Sequence, residues 1–292
     1  MRIKRTRGEV VFDTINTILL IFVFLLTLYP FLYVVFASLS NANKLAMHRG
    51  FLVWPIGFSL SSYESVLKNH SIWIGFRNTL FYELIGLSIN MSLTILGGYA
   101  LSRKRFAPRG VIMMLVVFCM IFKGGLIPNY ILIRQLSLLD TVWALTLPVA
   151  ISTMNLIIMR TAFEGMPESL EEAAKMDGAS DLTVLLRVAI PLTVPTILTL
   201  VLYYAVSHWN SWFPASIYIT SRSKLPLQMI LREILLQGKT GDTSGDVSEN
   251  MTYLAASYKY STIVVSTLPI LMVYPFIQRY FVKGVMVGAV KG

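Results

Sequence analysis

The stretch NTILLIFVFLLTLYPFLYVVFAS, residues 16–38, decides the fold class of this chain. It carries no charged side chain, and a helix that crosses the hydrocarbon core of a bilayer needs about 20 mainly apolar residues. The run is too long for the apolar region of a secretory signal. It therefore predicts a retained membrane helix, in which Pro30 favours a kink.

The composition of the whole chain extends this prediction. Of its 292 residues, 55% are hydrophobic and 14% are charged, and the mean hydropathy is +0.66. A water-soluble domain of this size could neither bury nor expose so much apolar surface. The chain is therefore predicted to be an all-α integral membrane protein.

Six windows along the chain have the length and apolar character of a membrane span. The third window contains Lys123, Gly124 and Gly125, which favour an early end to its continuous helix, and Pro148 and Pro191 favour kinks or breaks in later windows. We expect all 292 residues to form one transmembrane domain. The predicted spans cover about residues 16–38, 76–101, 110–132, 141–163, 188–212 and 259–282.

The distribution of basic residues predicts the orientation, because short cytoplasmic connections carry an excess of Lys and Arg. With the N-terminus inside, more than half of the 25 Lys and Arg residues fall in short inner connections, and the others spread over the outer side, mainly in loops near 39–75 and 213–258. Both termini are thus predicted to be cytoplasmic. This topology explains the net charge of +10 better than nucleic-acid binding does, since no basic stretch carries interleaved aromatic residues.

Several kinds of chemistry have no sequence signal. Cys119 is the single cysteine and lies in an apolar run, and His48, His70 and His208 lack the spacing of metal ligands. We find neither paired carboxylates nor a nucleophile motif, and the phosphate-binding pattern G-x-x-x-x-G-K followed by Ser or Thr is absent from the sequence. We therefore predict that the chain is not an enzyme and holds neither a cofactor nor a metal ion.

The loop of about residues 164–187 is unusually charged for a connection between two spans. Pro167 suits the first turn of a helix, and acidic residues follow it where the helix dipole favours negative charge. We predict a helix from about 167 to 177, ended by a turn at Gly178. Leu170, Ala173, Ala174 and Asp177 then share one side, which is small enough for close docking. A solvated linker helix is the alternative interpretation.

Residues 172–191, EAAKMDGASDLTVLLRVAIP, resemble the EAA signature of ATP-binding-cassette (ABC) importer permeases. In that signature Glu-Ala-Ala is followed after three residues by Gly, and further along by an aliphatic-x-aliphatic-Pro sequence. The aliphatic positions usually given as Ile and Leu are Val and Ile here. The matching positions are Glu172, Ala173, Ala174, Gly178, Val188, Ile190 and Pro191.

The resemblance implies that this loop is a coupling helix seated in a cleft of a cytoplasmic ATPase subunit. Glu172 would accept charge-assisted hydrogen bonds from the partner, and the small alanine side chains would allow close backbone approach. Motion of the ATPase would pass into the fifth span through Pro191. The implied coupling residues are Glu172, Ala173, Ala174, Asp177, Gly178 and Pro191.

The resemblance covers most of the chain. RNTLFY (77–82), GGLIPNYILIRQLSLLDT (124–141), HWNSWFPA (208–215) and QRYFVKGVMVGAVKG (278–292) are similar to carbohydrate-type permeases of the MalG-like class, whose fold is that of type I ABC importers. In that class the C-terminal tail, here 283–292, enters the ATPase interface; a frayed basic end is the alternative. The implied tail contacts are Gly284, Gly288, Lys291 and Gly292.

The same resemblance implies a set of partners in a bacterial inner membrane. They are a second related permease, two ATPase subunits that bind ATP and magnesium, and a solute-binding protein that delivers an oligosaccharide. In the branch of this class whose tails end in KGVM-aliphatic-GAVKG, permeases for complex oligosaccharides are frequent, and they include importers of acidic sugars such as alginate or other uronate oligomers. The excess of basic over acidic residues in the outer loops suits a polyanionic sugar. Contacts with the binding protein or simple solubility would explain that excess equally well.

Aromatic faces rimmed by amides or hydroxyls bind sugars, so such residues within the spans are candidates for the substrate pathway. Each is alternatively a core residue or, as at Trp209 and Trp212, part of an interfacial aromatic belt. Glu83 is an acid inside a predicted span and is a functional candidate for that reason, although an ion-coupled secondary carrier would need more such groups. The pathway candidates are Tyr82, Asn90, Asn155, Tyr203, Tyr204, His208, Trp209, Asn210 and Trp212.

Overall fold

The computed structural model describes residues 6–122, 124–237, 257–272 and 275. In these residues the secondary structure is helical apart from one isolated antiparallel bridge between Ser40 and Phe58. The described residues divide into two compact units, one drawn from 1–70 and 233–267 and the other from 71–232 and 268–292.

The first unit is built on α1, Arg7–Ser38. A capping box starts this helix, because the Thr6 hydroxyl accepts from the Glu9 N–H while the Glu9 carboxylate accepts from the Thr6 N–H at 2.8 Å. Two short helices follow, α2 at Ala42–Met47 and α3 at Ser61–Lys68. Residues 257–267 add a further helical segment to this unit. The small core of this unit is Ala37, Leu45 and Leu52, with Tyr33, Phe36, Ile56 and Tyr260 packed around it.

The second unit starts with the long helix α4. The first residue of α4, His70, and residues 233–237 at the end of the last helix given below belong to the first unit. The elements in chain order are α4 His70–Ser102, α5 Arg109–Ile121, α6 Leu126–Gln135, α7 Val142–Thr146, a 3-10 turn Leu147–Val149, α8 Thr153–Glu164, α9 Glu168–Met176, α10 Asp181–Val184, a π-helical turn Leu185–Ala189, α11 Ile190–Trp209, α12 Trp212–Tyr218, a 3-10 turn Arg222–Lys224 and α13 Leu227–Gln237.

Among the described residues, three continuous helices are long and apolar enough to cross a membrane: 7–38, 70–102 and 181–209. Two bent helix pairs bring the number to five if each pair is one span. The sixth predicted window lies partly on the helical residues 257–272, and much of its remainder is outside the described residues. The predicted all-helical membrane fold is confirmed, and the number six stays a prediction.

The third and fourth predicted windows are both interrupted. α5 ends at Ile121 and α6 begins at Leu126 at an angle of 115°, as the glycines at 124 and 125 led us to expect. The fourth window, in which Pro148 was expected to favour a kink or break, is interrupted between residues 142–149 and α8, which differ in direction by 52°. Pro148 lies within that turn, where its ring and missing N–H disfavour a regular helix.

The fifth window begins earlier than predicted, because α10, the π-helical turn and α11 form one helix from 181 to 209. Pro191 has no N–H to donate to the carbonyl of Arg187, and its ring crowds that carbonyl. The turn just before it is wider, with the Ile190 N–H bonded to the Leu185 carbonyl. This irregular turn joins the loop after α9 to the apolar part of α11.

The core of the second unit lies where α4, α8 and the 181–209 helix meet. Tyr99 and Phe163 pack edge to face with ring centroids 5.6 Å apart, and Met159, Val184 and Leu200 are almost fully buried beside them. Met166, Ala174 and Ala179 pack against this core from the segment around α9. The segment is thereby fixed to the ends of three helices.

Candidate functional site

The helix α9 is short, and its ends are defined by local sequence. Pro167 is its N-cap residue, and Glu168 and Glu171 place negative charge in the first turn, where the exposed N–H groups favour it. Its bounds, Glu168–Met176, lie within one residue of the predicted 167–177. Lys175 adds positive charge in the last turn. The local sequence thus specifies this helix well.

The end of α9 is a Schellman motif. The Gly178 N–H bonds to the Lys175 carbonyl at 2.9 Å, and the Ala179 N–H bonds to the Ala174 carbonyl at 3.0 Å. Gly178 has a φ of +81°, a conformation that glycine adopts at low cost. The predicted turn at Gly178 is therefore present, and it directs the chain into α10.

The structure separates the predicted coupling residues into two groups. Ala174 packs against the core of its own chain. Glu172, Ala173, Asp177 and Gly178 are exposed, and the neighbouring Met176 is 89% exposed. Ala173 and Ala174 therefore do not share one free face, since helical neighbours point about 100° apart. Pro191 also lies exposed, one residue after α11 begins.

Three consecutive basic residues after α4 bind the segment around α9. Arg103 pairs with Glu171, Lys104 with Glu168 and Arg105 with Asp181. Lys175 donates to Glu171 at 2.7 Å and lies 3.6 Å from Asp181. The connection between α4 and α5 and the loop that contains α9 thus meet as oppositely charged surfaces.

These pairs shift the pKa values of the acidic partners downward. Burial alone would raise the pKa of Glu171, but hydrogen bonds from Lys175 and Arg103, together with their charges, outweigh burial. The hydrogen bond from Lys104 lowers the pKa of Glu168. Glu168 and Glu171 are therefore carboxylates at neutral pH.

A cleft of about 430 Å³ opens beside these ion pairs. Its wall includes Glu172, which none of the ion pairs above occupies. The other lining residues are Ser102, Arg103, Lys104, Arg105, Arg109, Phe163, Glu164, Met166, Glu168, Glu171 and Lys175. The cleft is consequently a mixed-charge surface on the side that the basic residues predict to be cytoplasmic.

The second cluster of predicted residues lies at the break before α8. Asn90 is fully buried, and its amide nitrogen donates to the carbonyls of Val149 and Ala150 at 2.6 and 2.9 Å. Because its nitrogen is used in this way, its oxygen accepts from His208 Nε2 at 2.6 Å. Asn90 therefore bonds two carbonyl groups at the helix break and fixes the His208 ring.

Tyr204 acts at the same break. Its hydroxyl accepts from the Ser152 N–H at 3.0 Å and lies 2.8 Å from the Thr94 hydroxyl. Gly86 lets the His208 ring approach α4, since a Cβ there would lie 2.6 Å from His208 Nε2. Asn90, Tyr204 and His208, which are pathway candidates, thus bond within their own chain, and a role in sugar binding stays a prediction for them.

Of the other pathway candidates, Asn155 lies in the first turn of α8, directly after this break, and its N–H donates to the Ser152 hydroxyl at 3.4 Å. The Tyr82 hydroxyl donates to the Lys224 carbonyl at 2.7 Å, and Asn210 donates to the Val206 carbonyl of its own helix at 2.8 Å. Asn155 and Trp209 are buried, while Tyr203 is 41% exposed. The Trp212 ring lies under the Arg232 guanidinium at 4.0 Å. These residues do not form one continuous aromatic surface.

Glu83 has an unusual surrounding. Its Oε2 atom is buried and has no hydrogen-bond partner within the described part of the chain. Trp209 Nε1 is in the same situation. Buried polar atoms without partners are rare in folded proteins, so each is a candidate for a bond to a buried water molecule or for a functional role.

A second cavity of about 400 Å³ lies next to the interrupted helices. His208 is the one pathway candidate named above that lines it. Its wall is mostly apolar and consists of Leu126, Asn129, Ala144, Leu145, Pro148, Val149, Ser207, His208, Ser211, Phe213, Pro214, Ile217 and Tyr218. The cavity therefore lies beside the break near 150 and the junction between α11 and α12 near 210.

On the predicted outer side, Asp140 holds two loops together. Its carboxylate accepts from Lys224 Nζ at 2.7 Å, from the Ser221 hydroxyl at 2.6 Å and from the N–H groups of Thr220 and Ser221. These bonds, that of Lys224 foremost, hold its pKa far below the ordinary range. The sequence analysis assigned no role to Asp140.

The ion pairs of Arg103, Lys104 and Arg105 were not predicted, because these residues indicated only the orientation of the chain. A signal was present, because a basic triplet at the end of one predicted span and the acidic residues at 168–172 both fall on the predicted cytoplasmic side. The predicted tail contacts at Gly284, Gly288, Lys291 and Gly292 lie outside the described residues.

Comparison with known proteins gives concordant results. A family model described as "Binding-protein-dependent transport system inner membrane component" matches residues 1–287. Protein LplC of Bacillus subtilis is 39% identical over 98% of this chain and 97% of that protein. The polygalacturonan/rhamnogalacturonan transport system permease protein YtcP of Bacillus subtilis is 39% identical over 92% of this chain and 94% of that protein.

The fold also matches a solved structure. A chain in the crystal structure of a bacterial ABC transporter involved in the import of the acidic polysaccharide alginate superimposes with a TM-score of 0.88. The two chains are 33% identical, and the match covers 96% of this chain and 99% of the other. The agreement in fold thus extends over nearly the full length of both chains.

Proposed function

The chain belongs to the family of inner membrane components of binding-protein-dependent transport systems, and from this premise we propose that it is a permease subunit of an ATP-driven importer of acidic oligosaccharides. In the proposed complex it forms half of the translocation pathway with a second, related permease. Two ATPase subunits bind ATP and magnesium, and a solute-binding protein delivers the sugar. The family consists of transport components, in agreement with the prediction that this chain is not an enzyme.

The exposed part of α9 supports coupling to an ATPase. Glu172, Ala173 and Asp177 are free to contact a partner, while Ala174 and Glu171 hold the helix to its own chain. A helix held in this way moves with the helices beneath it when a partner displaces it. The observation that carries the proposal is this exposed, glycine-ended helix in a chain of the transport family.

The relatives support an acidic substrate. One relative is named for polygalacturonan and rhamnogalacturonan transport, and the matching crystal structure is of an alginate importer. Each of these names refers to a uronate-containing polymer. Basic residues outnumber acidic residues in the predicted outer loops, which would attract a polyanion.

The proposal is tested by purifying the complete complex with its binding protein and measuring ATP hydrolysis in liposomes. We expect uronate oligomers to stimulate hydrolysis and uptake, and neutral oligomers of equal length to leave both near the basal level. Stimulation by neutral oligomers alone would refute the acidic substrate. Uptake by this chain without an ATPase, driven by a proton or sodium gradient, would instead establish the alternative of a secondary carrier.

A further inference from the structure

Arg103, the first residue after α4, contacts three helices through one guanidinium group. Nε donates to the Ser102 hydroxyl at 3.0 Å, Nη1 donates to Glu171 of α9, and Nη2 donates to the Phe163 carbonyl near the end of α8 at 3.1 Å. The guanidinium carbon lies 4.6 Å from the centre of the Tyr99 ring. Arg103 therefore joins α4, α8 and α9 at one point.

This ion pair is shielded from water. The side chains of Arg103 and Glu171 are 13% and 12% exposed, whereas those of the adjacent pair Lys104 and Glu168 are 77% and 69% exposed. Exposed pairs contribute little, but removing one partner of a buried pair leaves an uncompensated charge. Removing one partner is thus expected to cost much more stability in the buried pair than in the exposed pair, although both pairs join the same two segments.

Further hydrogen bonds surround the buried pair. The second Glu171 oxygen accepts from Lys175 one turn further along α9 at 2.7 Å. Arg160 of α8 returns to α4 by donating to the Leu101 carbonyl at 3.2 Å. Displacing α9 alone would break the bond between Glu171 and Arg103, and Arg103 and Arg160 also bond α8 to the end of α4. We therefore expect α9, α8 and the end of α4 to move together.

We propose that Arg103 is a positioning residue that ties α9 to α4, so that displacement of α9 by an ATPase moves α4 as well as α11. This inference rests on the proposed function. α4 carries Asn90, which bonds the carbonyl groups at the break before α8. Motion of α9 would thereby reach the break before α8 through α4, and it would also pass along the 181–209 helix.

The test compares Arg103→Gln with Lys104→Gln in the complete complex, with oligosaccharide uptake and ATP hydrolysis measured on the same liposomes. For Arg103→Gln we expect the amount of sugar taken up per ATP hydrolysed to fall about tenfold, as for mutations that weaken coupling between sites. For Lys104→Gln we expect this ratio to stay within about twofold, since exposed pairs contribute little. Arg103→Lys keeps the charge but loses the fork geometry, so an intermediate ratio is expected.

A charge exchange separates coupling from simple structural damage. The double variant Arg103→Glu with Glu171→Arg restores opposite charges across the same gap and is expected to recover part of the ratio that Arg103→Glu loses. Equal ratios for Arg103→Gln and Lys104→Gln would overturn the inference. If the complex with Arg103→Gln does not assemble, the same comparison is made between Glu171→Gln and Glu168→Gln, which remove the acidic partners of the buried and the exposed pair. Equal ratios of sugar to ATP for those two variants would overturn the inference.

The same measurements separate this inference from the proposed function. If the unsubstituted complex shows no hydrolysis stimulated by any oligosaccharide, the proposed function fails. If the unsubstituted complex transports and the ratio is unchanged in both Arg103→Gln and the charge-exchange variants, the role of Arg103 alone is refuted.

Discussion

At the scale of single residues, Gly178 is required for a conformational reason. Its φ of +81° lies in the left-handed region, and a Cβ atom added there would meet nothing within 4 Å. A substitution is thus opposed by backbone strain and not by a clash. The strain would weaken the two Schellman hydrogen bonds that end α9. It would thus disturb the segment that is proposed to contact an ATPase.

We predict that Gly178→Ala destabilises the end of α9 by about 1 kcal/mol, whereas Gly178→Asn costs less because Asn tolerates the left-handed conformation. Hydrogen exchange at the amides of 178 and 179 measures this effect. The Ala variant is expected to exchange roughly fivefold faster, which is the ratio that about 1 kcal/mol produces. Oligosaccharide uptake is expected to fall further in Gly178→Ala than in Gly178→Asn.

The control for this prediction is Gly110→Ala at the start of α5. A Cβ at Gly110 also meets nothing within 4 Å, but the backbone of Gly110 is ordinary helix. The exchange rates at 178 and 179 are therefore expected to stay unchanged. An unchanged rate in Gly178→Ala itself would show that the left-handed turn is not what holds this end of the helix.

At the scale of elements, the break before α8 depends on side chains distant in sequence. The carbonyls of Val149 and Ala150 have no helical partner because the chain turns by 52° there. Asn90 supplies their hydrogen bonds, and His208 and Tyr204 complete the contact from α11. Backbone polar groups inside a membrane need such partners, so these hydrogen bonds are what allow the helix to break at this point.

We predict that Asn90→Leu destabilises the protein by about 2 kcal/mol, since interhelical hydrogen bonds in membranes contribute about 0.6 kcal/mol each and Asn90 makes three. Leu has a similar branched shape, so little volume changes. A lower midpoint of thermal unfolding in detergent measures the loss. Ser88→Ala is the control on the same helix, because Ser88 is exposed and bonds only to the Leu84 carbonyl one turn away. Equal midpoints for the two variants would contradict the role of Asn90.

The contrast between α9 and this break explains how much the sequence predicts. α9 was predicted within one residue because its determinants are local: Pro167, the acidic first turn and Gly178 all act on adjacent backbone. The break near Ala150 was predicted only as a proline effect. Its hydrogen bonds come from residues 90, 204 and 208, and a single sequence does not reveal which distant helices meet.

The same limit applies to the candidate sites. Asn90, Tyr82 and Tyr204 were chosen because amides and phenols bind sugars, but these groups bond backbone equally well, and here each one does. Arg103 was read only as an orienting charge, since its pairing with Glu171 depends on how α4 and α9 meet. Residue type therefore indicates which hydrogen bonds or ion pairs a side chain can form, while the fold determines which group it meets.

At the scale of the whole molecule, the orientation in the membrane determines what the charged junction around α9 can meet. The positive-inside rule places Arg103, Lys104 and Arg105 in the cytoplasm, and their ion pairs bring α9 to the same side. The loop near 39–75, which contains the exposed residue Lys68, is predicted to lie outside. An ATPase inside the cell would reach the first surface and not the second.

We predict that a membrane-impermeant maleimide labels Lys68→Cys in intact spheroplasts and labels Glu172→Cys only after permeabilisation. Both substitutions are made with Cys119→Ser, which removes the single native thiol. Each site is exposed, and loss of the surface pair between Lys68 and Glu64 is expected to change stability little. The Cys119→Ser chain alone is the control and is expected to stay unlabelled.

Coexpression of the ATPase extends the same experiment to docking. If α9 sits in an ATPase cleft, labelling of Glu172→Cys after permeabilisation is expected to slow when the ATPase is present, and labelling of Lys68→Cys is expected to stay the same. Labelling of Glu172→Cys in intact spheroplasts would reverse the orientation of the whole chain. It would also place α9 on the side opposite to any cytoplasmic ATPase, so coupling through this helix would be ruled out together with the orientation.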